Sequence, residues 1–256
     1  MQVWGNGRDY SVSRKEVSET FVISDTHLYH HNVVLHCNRE QFMYDNPNFD
    51  PSKPIHFKSN NPKAVHLQQH DEFIIDEWNS RATKKDTIWI LGDLAWKNHA
   101  HYIHRLNGKK FLIRGNHDKM SQDAYKLFAK IDGANYRYSY YTKIHGKRVM
   151  LSHCPYDTWF SSCHDSWHLY GHCHGRREEI PWILSFDVGY DVWGGLIPWS
   201  IIEAKMTDKE KIRKEYFKNK KEDPGEADRF VSITKQLNMK YMNGETDVIT
   251  GYNNND

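Results

Sequence analysis

Cysteine is scarce in this chain, four residues in 256 (Cys37, Cys154, Cys163 and Cys173), and no two form a C-x-x-C pair. A small secreted disulfide frame is thereby excluded, and reduced thiols in a cytosol fit best. No apolar run approaches the ~18 residues that a membrane helix needs. The opening MQVWGNGRDYSVSRKEV has no basic-then-apolar signal pattern, so a soluble, cytoplasmic protein is expected. Excess charge is missing too: 35 Lys plus Arg against 33 Asp plus Glu leave +2, which predicts neither nucleic-acid steering nor membrane attraction. With 38% hydrophobic and 14% aromatic residues, the aromatics must supply much of the core. Histidine is abundant instead. Seventeen is many for a side chain that is neither a good core filler nor a cheap charge, so their placement matters.

Short apolar runs alternate with helical patterns. TFVISD (20–25), DTIWILGD (86–93) and KKFLIRGNHD (109–118) read as buried strands ending in polar residues. Helical spacing predicts a helix at about 63–81, with Pro62 at its start, then HAHYIHRL, and SQDAYKLFAKI (121–131) capped by Ser121. Strands separated by helices imply parallel βαβ units. The pattern then turns to β: 136–144, 147–153, 165–172, 183–191 and 198–204. The stretch 39–61, with three prolines and many Asn and Asp, reads as an irregular insertion and a candidate lid. The architecture expected is an α/β sandwich whose strand carboxyl ends carry the loops of interest.

Those strand ends read Asp25-Thr-His27, Gly92-Asp93, Gly115-Asn116-His117-Asp118, Ser152-His153 and Gly171-His172-Cys173-His174. Singly, each is a plain turn or a structural histidine; together they converge on one crevice. Oxygen and imidazole donors without thiolate suit Mn²⁺, Fe²⁺ or Zn²⁺, and there are more donors than one tetrahedral ion uses. Two ions are the economical reading. Such a pair, bridged by a carboxylate, activates a hydroxide against phosphorus. Asp25 and His27 reach one ion because residues i and i+2 of an extended strand end point to one side, and His172 and His174 are expected to share that geometry.

The series D-x-H, G-D, G-N-H-D, H and G-H-x-H, in this order over 25–174, resembles the calcineurin-like metallophosphoesterase superfamily. The surroundings ISDTHLYHHN, LNGKKFLIRGNHD, LSHCP, LYGHCHG and DVGYDVWGGLIPWS look like a bacterial and phage branch of small metallophosphoesterases, over roughly 20–204. The resemblance implies that Asp25, His27 and His174 hold a first metal, that Asp93 bridges, and that Asn116, His153 and His172 complete a second. It implies two divalent ions, Mn²⁺ foremost with Fe, Zn or Ni as substitutes. His117 would face the phosphate as proton donor or charge stabiliser, with Asp118 orienting its ring. Tyr29 departs from the branch, which usually has glycine before His30, and its bulk is expected to narrow the site mouth; His30 and Asn32 fit the pattern as substrate contacts. The fold expected is α/β, a four-layer-type α/β/β/α sandwich of two mixed sheets with the metal site at strand carboxyl ends. Residues 1–18 would be an N-terminal extension, 19–204 the metallophosphoesterase domain, and 205–256 a basic helical segment and flexible tail.

The activity expected is hydrolysis of phosphodiesters or phosphomonoesters of a small nucleotide-like substrate, in the cytoplasm of a bacterial cell or phage-infected host. LAWKN after Gly92-Asp93 lacks the phosphate-gripping arginine of the phosphoprotein phosphatases that resemble this superfamily. Residues 205–221 hold eight basic and three acidic residues, a local +5 that offers a nuclease reading through the nucleic-acid backbone, although a solvated helix face is the simpler account. A non-catalytic, metal-stabilised module binding a phosphorylated ligand is the third alternative. His66 and His70 read as a solvated helix face, His99, His101 and His104 as candidates to line the site, and Trp159, Trp167, Trp193 and Trp199 as core or rim. Cys154 and Cys173 read as packing residues.

Overall fold

The computed structural model describes residues 17–37, 39, 67–96 and 100–219. Most of the 39–61 insertion, His66, His99, and the expected extension and tail up to residue 16 and from 220 onward lie outside them. The described chain is an α/β sandwich of two mixed sheets. The first has the order β4-β3-β2-β1-β9 (Tyr136–Arg137, Lys109–Ile113, Thr87–Ile90, Thr20–Ile23, Ile197–Pro198), parallel except for β9. The second runs β5-β6-β7-β8 (Ser139–Ile144, Lys147–Ser152, Trp167–Tyr170, Ser185–Asp187), with β5 antiparallel to β6 and the rest parallel.

Strand alternation decides the layering. Phe21, Ile23, Ile88, Ile90 and Leu112 point from the first sheet to one side. There they meet Ile74, Ile75 and Trp78 of α2 (Leu67–Arg81), Tyr102 and Ile103 of α3 (Ala100–Arg105), and Tyr125 of α4 (Gln122–Tyr125). Val22 and Ile113, one residue out of phase, point to the other side and pack with Val149, Leu151, Trp167, Leu169 and Phe186 of the second sheet. Burying each of these large side chains stabilises the fold by roughly 1.5–3 kcal/mol. Trp159 and Trp167 are buried in this second cluster and Trp193 packs against it, as the core reading expects.

Four expectations change. The helix expected over 121–131 spans only Gln122–Tyr125 and gives way to turns. The run 136–144 is not one strand: it breaks at Tyr138, and the chain passes there from the first sheet to the second. The stretch 198–204 is a strand for only its first residue, because Trp199 opens the long helix α6 (Trp199–Asn219), whose Ile202 and Met206 are buried in the second cluster. The stretch 183–191 ends after β8 in a short helix, α5 (Tyr190–Trp193). On α6, two of the basic residues face inward. Lys209 donates to the carbonyls of Ile180 and Ile183, and Arg213 to that of Ser162, so both clamp the helix onto the loops. No helix among the described residues is long and apolar enough to cross a membrane.

Candidate metal centre

The carboxyl ends of β1 and β2 are laced together by main chain. The amides of Asp25 and His27 donate to the carbonyls of Gly92 and Asp93, and Ser24 Oγ donates to Leu91 O. The expected extended geometry is not what brings the side chains together: Asp25, His27, Asp93, His172 and His174 all have φ between +49° and +69°. With Tyr29, six of the ten described non-glycine residues at positive φ lie at these strand ends. Left-handed backbone is costly for such residues, and strain gathered in one place marks a site. Tyr29 takes φ +64°, which is why glycine suits that position, but its ring packs into the core against Tyr102 and does not hang over the site.

Two donor groups form. In the first, Asp25, His27 and His174 bring their ligand atoms within 4.8 Å of one another; in the second, Asp93, His153 and His172 do the same. Asp93 Oδ2 stands between them, 3.6 Å from His27 Nε2 and 3.3 Å from His153 Nε2. Asn116 belongs to the second group, its Oδ1 lying 3.0 Å from His153 Nε2, which in turn is 3.2 Å from His172 Nδ1.

The chemistry of these atoms calls for a cation. Asp25 Oδ1 and both ring nitrogens of His27 are buried with no hydrogen-bond partner among the described residues. Buried polar atoms without partners are expensive, so this cluster needs something to bind. His153 Nδ1 is committed to Leu91 O, which turns Nε2 toward an asparagine oxygen, a carboxylate and another imidazole. Burial alone would lower the His153 pKa, but Asp93 beside it raises it to about 9: a proton compensates where a metal would. Burial opposes ionisation of Asp93, yet His153 holds its carboxyl well below the usual range, whereas burial pushes Asp25 up to about 6. The residues therefore fit a metal ion.

His117 lies beside this cluster, one-third exposed, its Nε2 3.9 Å from Asp93 Oδ2 and its ring 5.3 Å from that of His27. The expected support from Asp118 is absent. That carboxylate accepts the amides of Asp93, Leu94 and Gly115, so it locks the β2 and β3 turns together instead of touching the His117 ring. His117 is framed by His30 at 5.4 Å and by Trp96 at 4.9 Å, which also packs edge-on to His30 at 4.3 Å. Asn32 is exposed on α1 (His31–His36), and His101 and His104 are exposed on α3, where His101 packs on Tyr102. His70, expected on a solvated face, is buried: its Nδ1 bonds Asp71, and Nε2 meets Arg39.

Sequence reasoning missed Arg39, Asp191, Cys37 and Trp96. Asp191 Oδ2 lies 2.5 Å from His174 Nδ1 and receives Arg39 as well, while Cys37 Sγ is 3.5 Å from the same nitrogen. Cys37, His174 and Asp191 form a third cluster of metal-type donors. The one visible signal was the pair of charges in the otherwise apolar DVGYDVWGG.

No family model matches the sequence. Among solved structures, the protein of unknown function AQ665 from Aquifex aeolicus is similar in fold, with a TM-score of 0.52 and 22% identity, covering 73% of this chain and 99% of that one. Yfce, a phosphoesterase from E. coli, aligns with a TM-score of 0.27, too remote to argue from. The Gene 66 protein of Mycobacterium phage L5 is 34% identical over 169 residues, 52% of this chain and 79% of that protein. The uncharacterized protein MJ1445 of Methanocaldococcus jannaschii is 30% identical over 169 residues, 64% of this chain and 74% of that protein. On these two likenesses the chain belongs to the family that contains MJ1445 and the phage Gene 66 protein.

Proposed function

We propose that this protein is a dinuclear, metal-dependent phosphoesterase of the calcineurin-like kind. The observation that carries the reading is Asp93 Oδ2, placed within 3.6 Å of a donor nitrogen in each of the two groups. Asp25, His27 and His174 would hold one ion, Asn116, His153 and His172 the other, and Asp93 both. When bound, the ions supply Lewis-acid polarisation of a phosphoryl oxygen and acidify a water. The chain's own part is to hold the phosphate between His117 and His30 and to serve the leaving oxygen. His117, partly exposed and 3.9 Å from the shared carboxylate, donates a hydrogen bond, or the proton itself, to that oxygen.

The substrate we favour is a small nucleotide-like ester. Trp96, at the edge of the site beside His30 and His117, offers a face on which a base can stack. The nuclease reading draws less support, since Lys209 and Arg213 are buried in holding α6 and do not track a phosphate backbone. Cleavage of a model phosphodiester and a model monoester by metal-stripped protein refilled with Mn²⁺ tests the proposal. Turnover that needs the metal and is lost in Asp93→Asn is expected. Metal-independent turnover, or full activity in that variant, would overturn it.

A further inference from the structure

We propose that Arg39 is the positioning residue of the first donor group, acting through Asp191 on His174 and directly on the turn that carries Asp25 and His27. The inference rests on the reading of those three residues as metal ligands.

Arg39 is fully buried, a placement that an unpartnered charge could not tolerate. Its guanidinium has five N–H bonds, and five acceptors surround it. Nε donates to Asp191 Oδ1 at 2.7 Å, and Nη2 to Asp191 Oδ2 at 2.7 Å. Nη2 also donates to Asp25 O at 2.6 Å, while Nη1 serves Thr26 O at 2.8 Å and lies 3.2 Å from His70 Nε2. His70 is turned for this by its own Nδ1, 3.0 Å from Asp71 Oδ1, which leaves Nε2 to accept. Asp71 in turn takes the amide of Tyr29. One planar fork thus reaches both strand-end turns that supply the group, 25–27 and, through Asp191, 172–174.

Two consequences follow for metal binding. With Asp191 on His174 Nδ1, the proton sits on that nitrogen, and Nε2 is left for an ion; the ring is also fixed in rotation. On the other turn, the two carbonyls held by Arg39 belong to a segment in which Asp25 has φ +59° and His27 +50°. The guanidinium holds that left-handed conformation in place, and with it the direction of both side chains. Lysine has three donors without the planar fork, so it cannot serve Asp191 twice and both carbonyls at once.

The test uses the full chain, stripped of metal and titrated with Mn²⁺, with bound ions counted and affinities measured by calorimetry. Wild-type protein is expected to bind two ions. Arg39→Lys and Asp191→Asn are expected to keep one ion and to lose about 10- to 100-fold in affinity for the other. A purely structural contribution would lower thermal stability and weaken both ions alike; that result, or two ions bound at wild-type affinity, overturns the proposal. Should neither variant fold, the wild type loaded with Zn²⁺ decides: ¹⁵N spectra of its histidines should show His174 protonated at Nδ1, and a proton on Nε2 refutes the positioning role. Wild-type protein that binds no ion at all overturns the dinuclear reading first, so the two failures are told apart.

Discussion

The two donor groups are built from different materials. The second is supported by main chain: His153 leans on a carbonyl, and the turns bearing Asp93 and Asn116 are tied by amides that converge on the Asp118 carboxylate. The first is supported by side chains, a buried run from Asp71 through His70, Arg39 and Asp191 to His174. The second group thus depends on a main-chain carbonyl and on one side chain, Asp118, where three amides meet. Side-chain support spans the fold, with Arg39 and Asp191 separated by 152 positions, and fails at any single link. The first group should accordingly be the more fragile of the two, and the shared Asp93 the position where the distinction vanishes.

That asymmetry breaks most severely at Asp93. Asp93→Asn removes a carboxylate that both groups use, and metal-dependent turnover of a model phosphodiester should fall well beyond the ~100-fold that loss of a supporting residue costs. Next come two glycines that permit close approach. A Cβ on Gly115 would lie 2.1 Å from Asp93 Oδ1, and one on Gly171 would lie 2.3 Å from Asp25 Oδ2. Either alanine forces a shift costing about 1–3 kcal/mol. Gly171→Ala should weaken one ion and Gly115→Ala both, as read by Mn²⁺ titration; equal effects would erase the comparison. Metal itself should stabilise the chain by roughly 2.7 kcal/mol at one hundred times its dissociation constant, seen as a rise in melting temperature that a chelator reverses and Asp93→Asn abolishes.

The same contrast explains what could be read from residues alone. Strands β1, β2 and β3 were legible because each is an apolar run ended by Gly, Asp or His, and the second group's turns carry their own signatures, Gly-Asp and Gly-Asn-His-Asp. The support of the first group was not, because nothing local marks Arg39 as buried: an arginine among polar residues ordinarily faces water. His70 was misjudged for the same reason, since one of its two partners, Arg39, lies 31 residues away. The direction of Asp118 was misjudged because adjacency to His117 suggested contact, whereas its side chain turns back to three amides. Tyr138 and Trp199 mark strand ends that tertiary packing sets, since β propensity runs straight through both.

Buried charge near the first group is tolerable where its partners are complete, and Glu77 on α2 shows the opposite case. Its carboxylate sits against Gly195, with Arg81 as ion-pair partner and the Leu196 amide as a hydrogen-bond donor. Arg81 is itself 44% exposed, so its charge is shared with water. Burial therefore prevails and raises the Glu77 pKa from its ordinary 4.5 to about 7. An acid that keeps its proton longer in the folded state makes folding stability decline as pH rises from about 4.5 to about 7, and the loss persists above that window. Glu77→Gln removes the ionisation while keeping the shape. Relative to wild type, the variant should gain roughly 3 kcal/mol in denaturant unfolding of metal-free protein between pH 4.5 and pH 8, the Arg81 pair being already contained in the shifted value. A difference that does not change with pH would mean that Glu77 is as well compensated as Arg39, and the contrast between complete and incomplete partnering would not hold on this helix.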